Sequence, residues 1–431
     1  MNYVVIVGCG FVGLNAAKVL AGKKNISVKI IDRNNYHLFQ PLLYQVTTAG
    51  LSPAEIAVPI RNIFSKYKNV SVVKGEVTSI DLKKKAIQTD IGELGYDYLV
   101  LACGVRPSYF GNEKWEQFAP GLKTIEQATE IRRRILTAFE KAETDDDSKR
   151  KAQLLTFIVI GGGSTGVELA GAIGELSRYT LLKDFKNIDP ALARIILIEA
   201  GPQILPYFSE KLSVQATRDL ESLGVQVKTF SQVTNIDTDS VQIGKEKIYA
   251  STIIWAAGVK ASDLNKQLGV ELDVMGRIIV EPDLSLKKNP EVFVAGDQAH
   301  FSYQTGIPLP GIAPVALQQG KFIAKNILRE IKGQQRVTFK YFDKGQMATI
   351  GRRKAILQIG KVHLSGLIAW LVWLFIHIYY LMGFKNRVFV LFQWAYSYVT
   401  FRKGARLIVN KNWRFYKSER MGHDESTEKK S

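Results

Sequence analysis

FIVIGGGSTGVELAGAIG, Phe157 to Gly174, decides how this chain is read. An apolar run rich in Val and Ile comes first, as in a buried parallel strand. Glycines follow at Gly161, Gly163 and Gly166, and then a helical pattern. In G-x-G-x-x-G the first glycine allows a tight turn and the second lets backbone approach a pyrophosphate. The third lets helix and strand pack closely. The helix N-terminus offers free N–H groups and a positive dipole end to phosphates. The stretch therefore reads as a dinucleotide-binding turn. The chain has already opened with another, VVIVGCGFVGLNAAKVLA, Val4 to Ala21, which carries Gly8, Gly10 and Gly13.

Each turn leads to a second strand with a carboxylate at its end. VKIIDR places Asp32, with Arg33 beside it, 24 residues after Gly8. That spacing suits a carboxylate taking ribose hydroxyls. IILIEA places Glu199 38 residues after Gly161, because the polar segment SRYTLLKDFKNIDPALA lengthens the crossover. The repeat goes further. Gly75 to Val105 resembles Ser231 to Val259, and Val77, Thr78, Ile80 and Asp81 match Val233, Thr234, Ile236 and Asp237 at an offset of 156. The glycine turns are offset by 153. Both copies close on a glycine, Gly104 or Gly258, counted with the cofactor sites. One repeat pair is too few for a solenoid and reads as a duplicated domain.

Two dinucleotide sites on one chain point to electron transfer between two cofactors, most economically FAD and a nicotinamide nucleotide. NPEVFVAGDQAH, Asn289 to His300, resembles the second flavin fingerprint of two-dinucleotide-domain flavoproteins. That resemblance implies that Asp297 meets the ribityl or pyrophosphate part of FAD. It also implies that the first module resumes after the second. Glu199 would repel a 2′-phosphate, and no Lys or Arg follows it in EAGPQILPYF, so NADH is favoured over NADPH.

A chain of 431 residues has room for two to three domains. The two cysteines, Cys9 and Cys103, are too few for a disulfide framework or for a redox pair beside a flavin, and a reducing compartment is expected. No Cys/His spacing suggests a metal. No signal peptide is read at the N-terminus. Glu143 to Gln153 reads as a solvated loop, and the polar tail from Ser418 as disordered.

The net charge of +18 has its source in the last quarter. From Lys344 to Lys417 there are thirteen Lys or Arg and no Asp or Glu, with Trp370, Trp373, Trp394 and Trp413. Two apolar runs lie there, Leu364 to Phe384 and Val388 to Phe401. The first is a marginal membrane span. In the second, Gln393, Ser397 and Thr400 form one helical stripe, an interfacial pattern. Such a segment suits an anionic membrane surface. Runs this apolar do not suit nucleic acid. A homodimer contact is the other use of such a surface, and His377 reads as structural.

In order along the chain, these residues resemble the type II, single-subunit, non-proton-pumping NADH:quinone oxidoreductases. The segments carrying the resemblance are FQPLLYQVTTAGLSPAEIAVPIR, Phe39 to Arg61, then GVRPSYFG, GGGSTGVE, APVALQQG and KGQMATIGRRKAI, with the Trp-rich run near the end. The resemblance implies a flavin neighbourhood that includes Thr48. It implies a positioning or proton-exchange role for Glu168, and a quinone contact at Gln318 or Gln319. Pro314 stands where the family often has Gln, which removes one side-chain donor. Cys103 stands where a Thr is common. A sulfide:quinone reductase would need more cysteines. A cofactor-binding sensor that does not turn over is the reading from another class.

The expected fold is α/β, with two Rossmann-like dinucleotide-binding domains, the NADH domain inserted in the FAD domain, and a helical membrane-associated C-terminal region. The boundaries are 1–115 and 266–330 for the FAD domain, 116–150 for a helix and linker, and 151–265 for the NADH domain. They continue as 331–417 for the membrane-association domain and 418–431 for the tail. The expected location is the cell membrane, peripheral, on the cytoplasmic side.

Overall fold

The structure, a computed structural model, describes residues 1–400 and 403–409. Trp413 and the tail from Ser418 lie outside them. The first module opens with β1 (Asn2–Val7), α1 (Phe11–Leu20), β2 (Ile26–Asp32), β3 (Val70–Lys74), β4 (Tyr98–Leu101) and β5 (Val105–Pro107). A helix, α2 (Ile125–Thr144), leads to the second module. That module contains β6 (Thr156–Ile160), α3 (Ser164–Glu175), β7 (Arg194–Ile198), β8 (Val225–Lys228), β9 (Thr252–Trp255) and β10 (Val259–Ala261). Then follow β11 (Val292–Val294) and α4 (Ala313–Ile331). The C-terminal region is β12 (Gln346–Gly351), β13 (Lys354–Ile359), β14 (Val362–Ser365), α5 (Gly366–Tyr380) and α6 (Phe384–Thr400).

The first sheet has the order β11-β4-β1-β2-β3, all parallel. The second has the order β8-β7-β6-β9, also parallel. β11 comes after the second module in sequence yet pairs with β4, so the second module is inserted in the first. Val4 to Val7 and Phe157 to Ile160 are buried on both faces, which is why their sequences do not alternate. Between β3 and β4, and again between β8 and β9, lies a three-stranded antiparallel meander. The two meanders carry register shifts at Val77/Ser79 and Val233/Asn235, the same place in each copy.

Two connections fix the modules to each other. β5 and β10 form an antiparallel pair, Val105↔Ala261 to Pro107↔Val259. Beside it Trp255 Nε1 donates to Ser108 O at 2.8 Å, and Tyr109 stacks on the Trp255 ring. α2 is the second connection. Thr124 caps it by accepting from Gln127 N, and Ala128, Ile131, Ile135, Ala138 and Phe139 bury one stripe. This helix runs to Thr144, and Asp147 caps a further helix over Ser148–Leu154. The segment 143–153 is thus largely helical, not a loop. Its high content of Asp and Lys hid a good N-cap.

The C-terminal helices stand on the antiparallel sheet β12-β13-β14, which the sequence did not suggest. This sheet lies against α3, where a Cβ on Gly171 would overlap the carbonyl oxygen of Ile350. α5 and α6 bury Trp370, Trp373, His377 and Trp394 toward the body, and Trp394 Nε1 donates to Gln45 Oε1 at 2.8 Å.

Candidate active site

The first glycine turn builds a cradle. Gly8 has φ +93, and a Cβ there would overlap the carbonyl oxygen of Ala102. A Cβ on Gly13 would overlap the oxygen of Gly8, so strand and helix meet only because both lack side chains. Gly10 is the N-cap of α1 and faces open space, with nothing within 4 Å of a built Cβ. A phosphate can approach that backbone closely. Asp32 closes the turn from the end of β2. Its Oδ2 accepts from Cys9 N at 2.6 Å and its Oδ1 from Asn34 N at 2.7 Å. Burial raises its pKa, and the two backbone bonds oppose that rise.

A cleft of about 590 Å³ extends from this turn. Gly8, Gly10, Asp32 and Arg33 line one part, and Gly104, Gly296 and Asp297 another. The turn bearing Asp297 is fixed by two glutamines. Gln319 Oε1 accepts from Gly296 N at 2.7 Å, and Gln298 Oε1 accepts from Cys103 N at 2.9 Å. The open backbone at Gly10, the carboxylate at one end and Asp297 at the other fit a long dinucleotide. Both cysteines stay protonated: burial pushes Cys103 up to about 12 and Cys9 higher still. Neither offers a thiolate for sulfur chemistry.

The second turn repeats the first, atom for atom at its carboxylate. Glu199 Oε2 accepts from Gly162 N at 2.6 Å and Oε1 from Gly201 N at 2.7 Å. Cys9 and Gly162 hold the same place, between the first two glycines of each motif. Gly161 has φ +112 and sits against the backbone of Ala256, while Gly163 again faces open space. Gly166 packs on the oxygen of Gly161. Gly258, φ +83, lies under the ring of Phe110 from the first module, and Ser108 N donates to its oxygen at 3.2 Å.

Glu168 lies one turn into α3, beyond the last glycine. It lines a separate cavity of about 280 Å³. Tyr44, Thr48, Thr349, Trp373 and Trp394 share that wall, so the cavity joins the second module to the aromatic C-terminal helices. Burial raises the Glu168 carboxyl to about 8, opposed by a backbone hydrogen bond from Thr349. At neutral pH it holds a proton. Thr48 is buried in this wall, where its hydroxyl donates to Tyr44 O at 3.1 Å. It does not line the cleft of the first glycine turn.

Gln318 and Gln319 serve backbone. Gln318 donates to the oxygens of Phe342 and Pro314 and accepts from Phe342 N at 3.0 Å. Gln319 is buried on the Gly296 turn. Neither lines the Glu168 cavity. Pro314 lies in the first turn of α4, where a missing N–H costs nothing. Sequence reasoning did not single out Tyr44, Gln45 or the Trp394 bond. These are long-range partners, 349 residues apart in the case of Gln45 and Trp394, and no local pattern announces them.

Two glycine cradles with matching carboxylates, joined to a returning strand that bears Asp297, define an oxidoreductase of the two-dinucleotide flavoprotein class. In keeping with this, residues 2–320 match the model for pyridine nucleotide-disulphide oxidoreductases, and residues 344–403 match the NDH2 C-terminal domain. The chain is 44% identical over 423 residues to the type II NADH:quinone oxidoreductase Ndh of Mycobacterium tuberculosis, covering 94% of this chain and 90% of that protein. It is 43% identical to NdhA of the same organism, over 94% of this chain and 89% of that one. The NDH2 of Plasmodium falciparum in complex with NADH shares the fold at TM-score 0.85 and 20% identity, over 95% of this chain and 100% of that one. The chain belongs to the type II NADH:quinone oxidoreductases. Its cofactors are FAD and NADH.

Proposed function

We propose that this chain takes electrons from NADH on the second module, passes them through FAD on the first, and delivers them to a quinone at a membrane surface. The observation that carries this reading is the position of Glu168. Its protonated carboxyl lies in a cavity wall shared by the nicotinamide-module helix α3 and the Trp-rich C-terminal helices.

When bound, FAD would supply the two-electron redox chemistry between NADH and the quinone. The chain supplies position. Asp32 would hold the adenosine ribose of FAD, Gly8, Gly10 and Gly13 would admit its pyrophosphate, and Asp297 would hold its ribityl end. Arg33 and Gly104 border the same cleft. Glu199 holds the ribose of NADH, with Gly161, Gly163 and Gly166 at its pyrophosphate and Gly258 beside it. Gln319 positions the Asp297 turn, and Gln318 fixes the irregular segment between α4 and β12 at Phe342. Holding both cofactors in one fixed geometry is the main catalytic contribution of such a frame. Glu168 holds a proton at its carboxyl for the reduced quinone.

Docking rests on an inverted helix pattern. Leu371, Phe375 and Tyr379 of α5 and Phe389, Phe392, Tyr396 and Val399 of α6 are exposed. Polar Gln393 and Ser397 are turned partly inward, Ser397 into the wall of the Glu168 cavity. No helix among the described residues is long and apolar enough to cross a membrane. α5, with 15 residues, spans roughly 22 Å against a core of about 30 Å. The chain lies on an anionic surface, peripheral and on the cytoplasmic side, with its basic residues toward the lipid headgroups.

The test is anaerobic mixing of the flavin-loaded protein with NADH, followed by a short-chain quinone. Bleaching of flavin absorbance and recovery on quinone addition are expected. Bleaching without recovery would favour a sensor and end the quinone assignment. No bleaching would end the NADH assignment.

A further inference from the structure

The loop after β8 carries a feature that neither glycine turn explains. Glu199 N donates to Lys228 O at 2.8 Å, and Glu199 O accepts from Ser231 N at 2.9 Å. Between them Phe230 N donates to Gly201 O at 2.9 Å. Phe230 is thereby pinned at the segment that holds the Glu199 carboxylate. Its φ is +51, a left-handed conformation rare outside glycine, Asn and Asp. Its ring is 77% exposed. A large apolar ring held in water on a strained backbone needs a reason, and such strain gathers at ligand clamps.

The duplication supplies an internal control. At the 156-residue offset, Phe230 stands where the first module has Lys74. The backbone frame is shared, because Gly75 N donates to Asp32 O as Ser231 N does to Glu199 O. Lys74, however, is an ordinary strand residue paired with Asp32. In the second module the regular pairing ends at Ile198↔Lys228, and the chain then turns left-handed at Phe230. The aromatic platform belongs to the nicotinamide module alone.

The adenine of a dinucleotide is bonded to the ribose whose hydroxyls the strand-end carboxylate takes. It therefore lies next to that carboxylate, at the end of the neighbouring strand. A flat exposed ring at that place meets a flat base, and stacking of that kind tolerates any orientation of the base's polar edge. We infer that Phe230 is the stacking platform for the adenine of NADH, and that it sets affinity for the adenosine half of the donor. The inference rests on the reading of Glu199 as the ribose ligand.

The test uses the flavin-loaded protein and two donors, NADH and reduced nicotinamide mononucleotide, which lacks the adenosine half. Phe230→Gly removes the ring and keeps a residue that accepts the left-handed backbone. The NADH concentration for half-maximal flavin reduction is expected to rise about tenfold, with an unchanged limiting rate. The dependence on the mononucleotide should stay as in the native protein, and Phe230→Tyr should restore NADH binding. Unchanged NADH dependence, or an equal loss with both donors, would overturn the inference. Glu199→Gln separates the two readings. A loss of NADH affinity there but not with Phe230→Gly ends the stacking role alone. The reverse result ends the ribose assignment, and the platform then stands only on the NADH-selective loss in Phe230→Gly itself.

Discussion

Glu168 is a carboxylic acid whose surroundings keep its proton. Burial raises it from the ordinary 4.5 to about 8. That makes it a donor at neutral pH, where an exposed glutamate would be an acceptor only. The native enzyme should therefore lose quinone turnover as pH rises through about 8, because the useful form is the protonated one. Glu168→Gln should lack that limb and turn over slower by about 10²-fold. NADH-driven flavin reduction should continue, which separates proton supply from hydride transfer. Superimposable pH–rate profiles for the two proteins would remove Glu168 from the proton step. The same shift has a stability consequence of fixed sign. Between pH 4.5 and about 8 the folded protein holds a proton that the unfolded chain has released. Stability from this group thus falls as pH rises across that window and is flat above it. The Gln variant should show a melting temperature that depends less on pH there.

The elements that could be read from sequence are those whose pattern is local. β1, α1, β6 and α3 were legible because an apolar run, three glycines and a helix sit within 18 contiguous residues. The strand-end acids Asp32 and Glu199 lie 24 and 38 residues beyond the first glycines, and each was legible because it closes the next apolar strand. The sheet β12-β13-β14 was not, because no glycine fingerprint follows its strands and the turn between the first two is basic, Gly351-Arg352-Arg353. Gln318 and Gln319 stood inside a motif that pointed to quinone, yet the Gln318 amide bonds backbone at Phe342 and Gln319 Oε1 accepts from Gly296 N. Gly171 was passed over as one more small residue of α3. It is where that helix meets β12, since a Cβ there would overlap Ile350 O. Gly171→Ala should cost about 1–3 kcal/mol as the sheet is pushed from the helix. Urea unfolding would measure it, with flavin content retained, because the first cradle is untouched. A variant as stable as the native protein would mean that helix and sheet part without cost.

At the scale of the molecule, the modules and the C-terminal region divide the work by solvent. The cradles open toward solvent at Gly10 and Gly163, as the proposed dinucleotide sites require, while the aromatic face of α5 and α6 turns outward. Its exposed side chains are large and contiguous in pattern: Leu371, Phe375 and Tyr379 on one helix, Phe389, Phe392, Tyr396 and Val399 on the other. A patch of this kind marks a partner surface. Its composition, with Lys385 over the Phe389 ring and no acid from Lys344 to Lys417, suits the anionic bilayer of the proposed docking. Cosedimentation with vesicles should show tighter binding to anionic than to neutral lipid. Salt should weaken the charged part within a Debye length and leave an apolar remainder. Phe375→Asp with Phe392→Asp should remove much of that remainder, since each buried Phe contributes about 1.5–3 kcal/mol. NADH-dependent flavin bleaching by the variant should be native, because neither side chain lines a cradle. If the variant still binds vesicles as the native protein does, the membrane lies against some other face. If it instead converts a native dimer to monomers with vesicle binding intact, a second copy of the chain covers this surface.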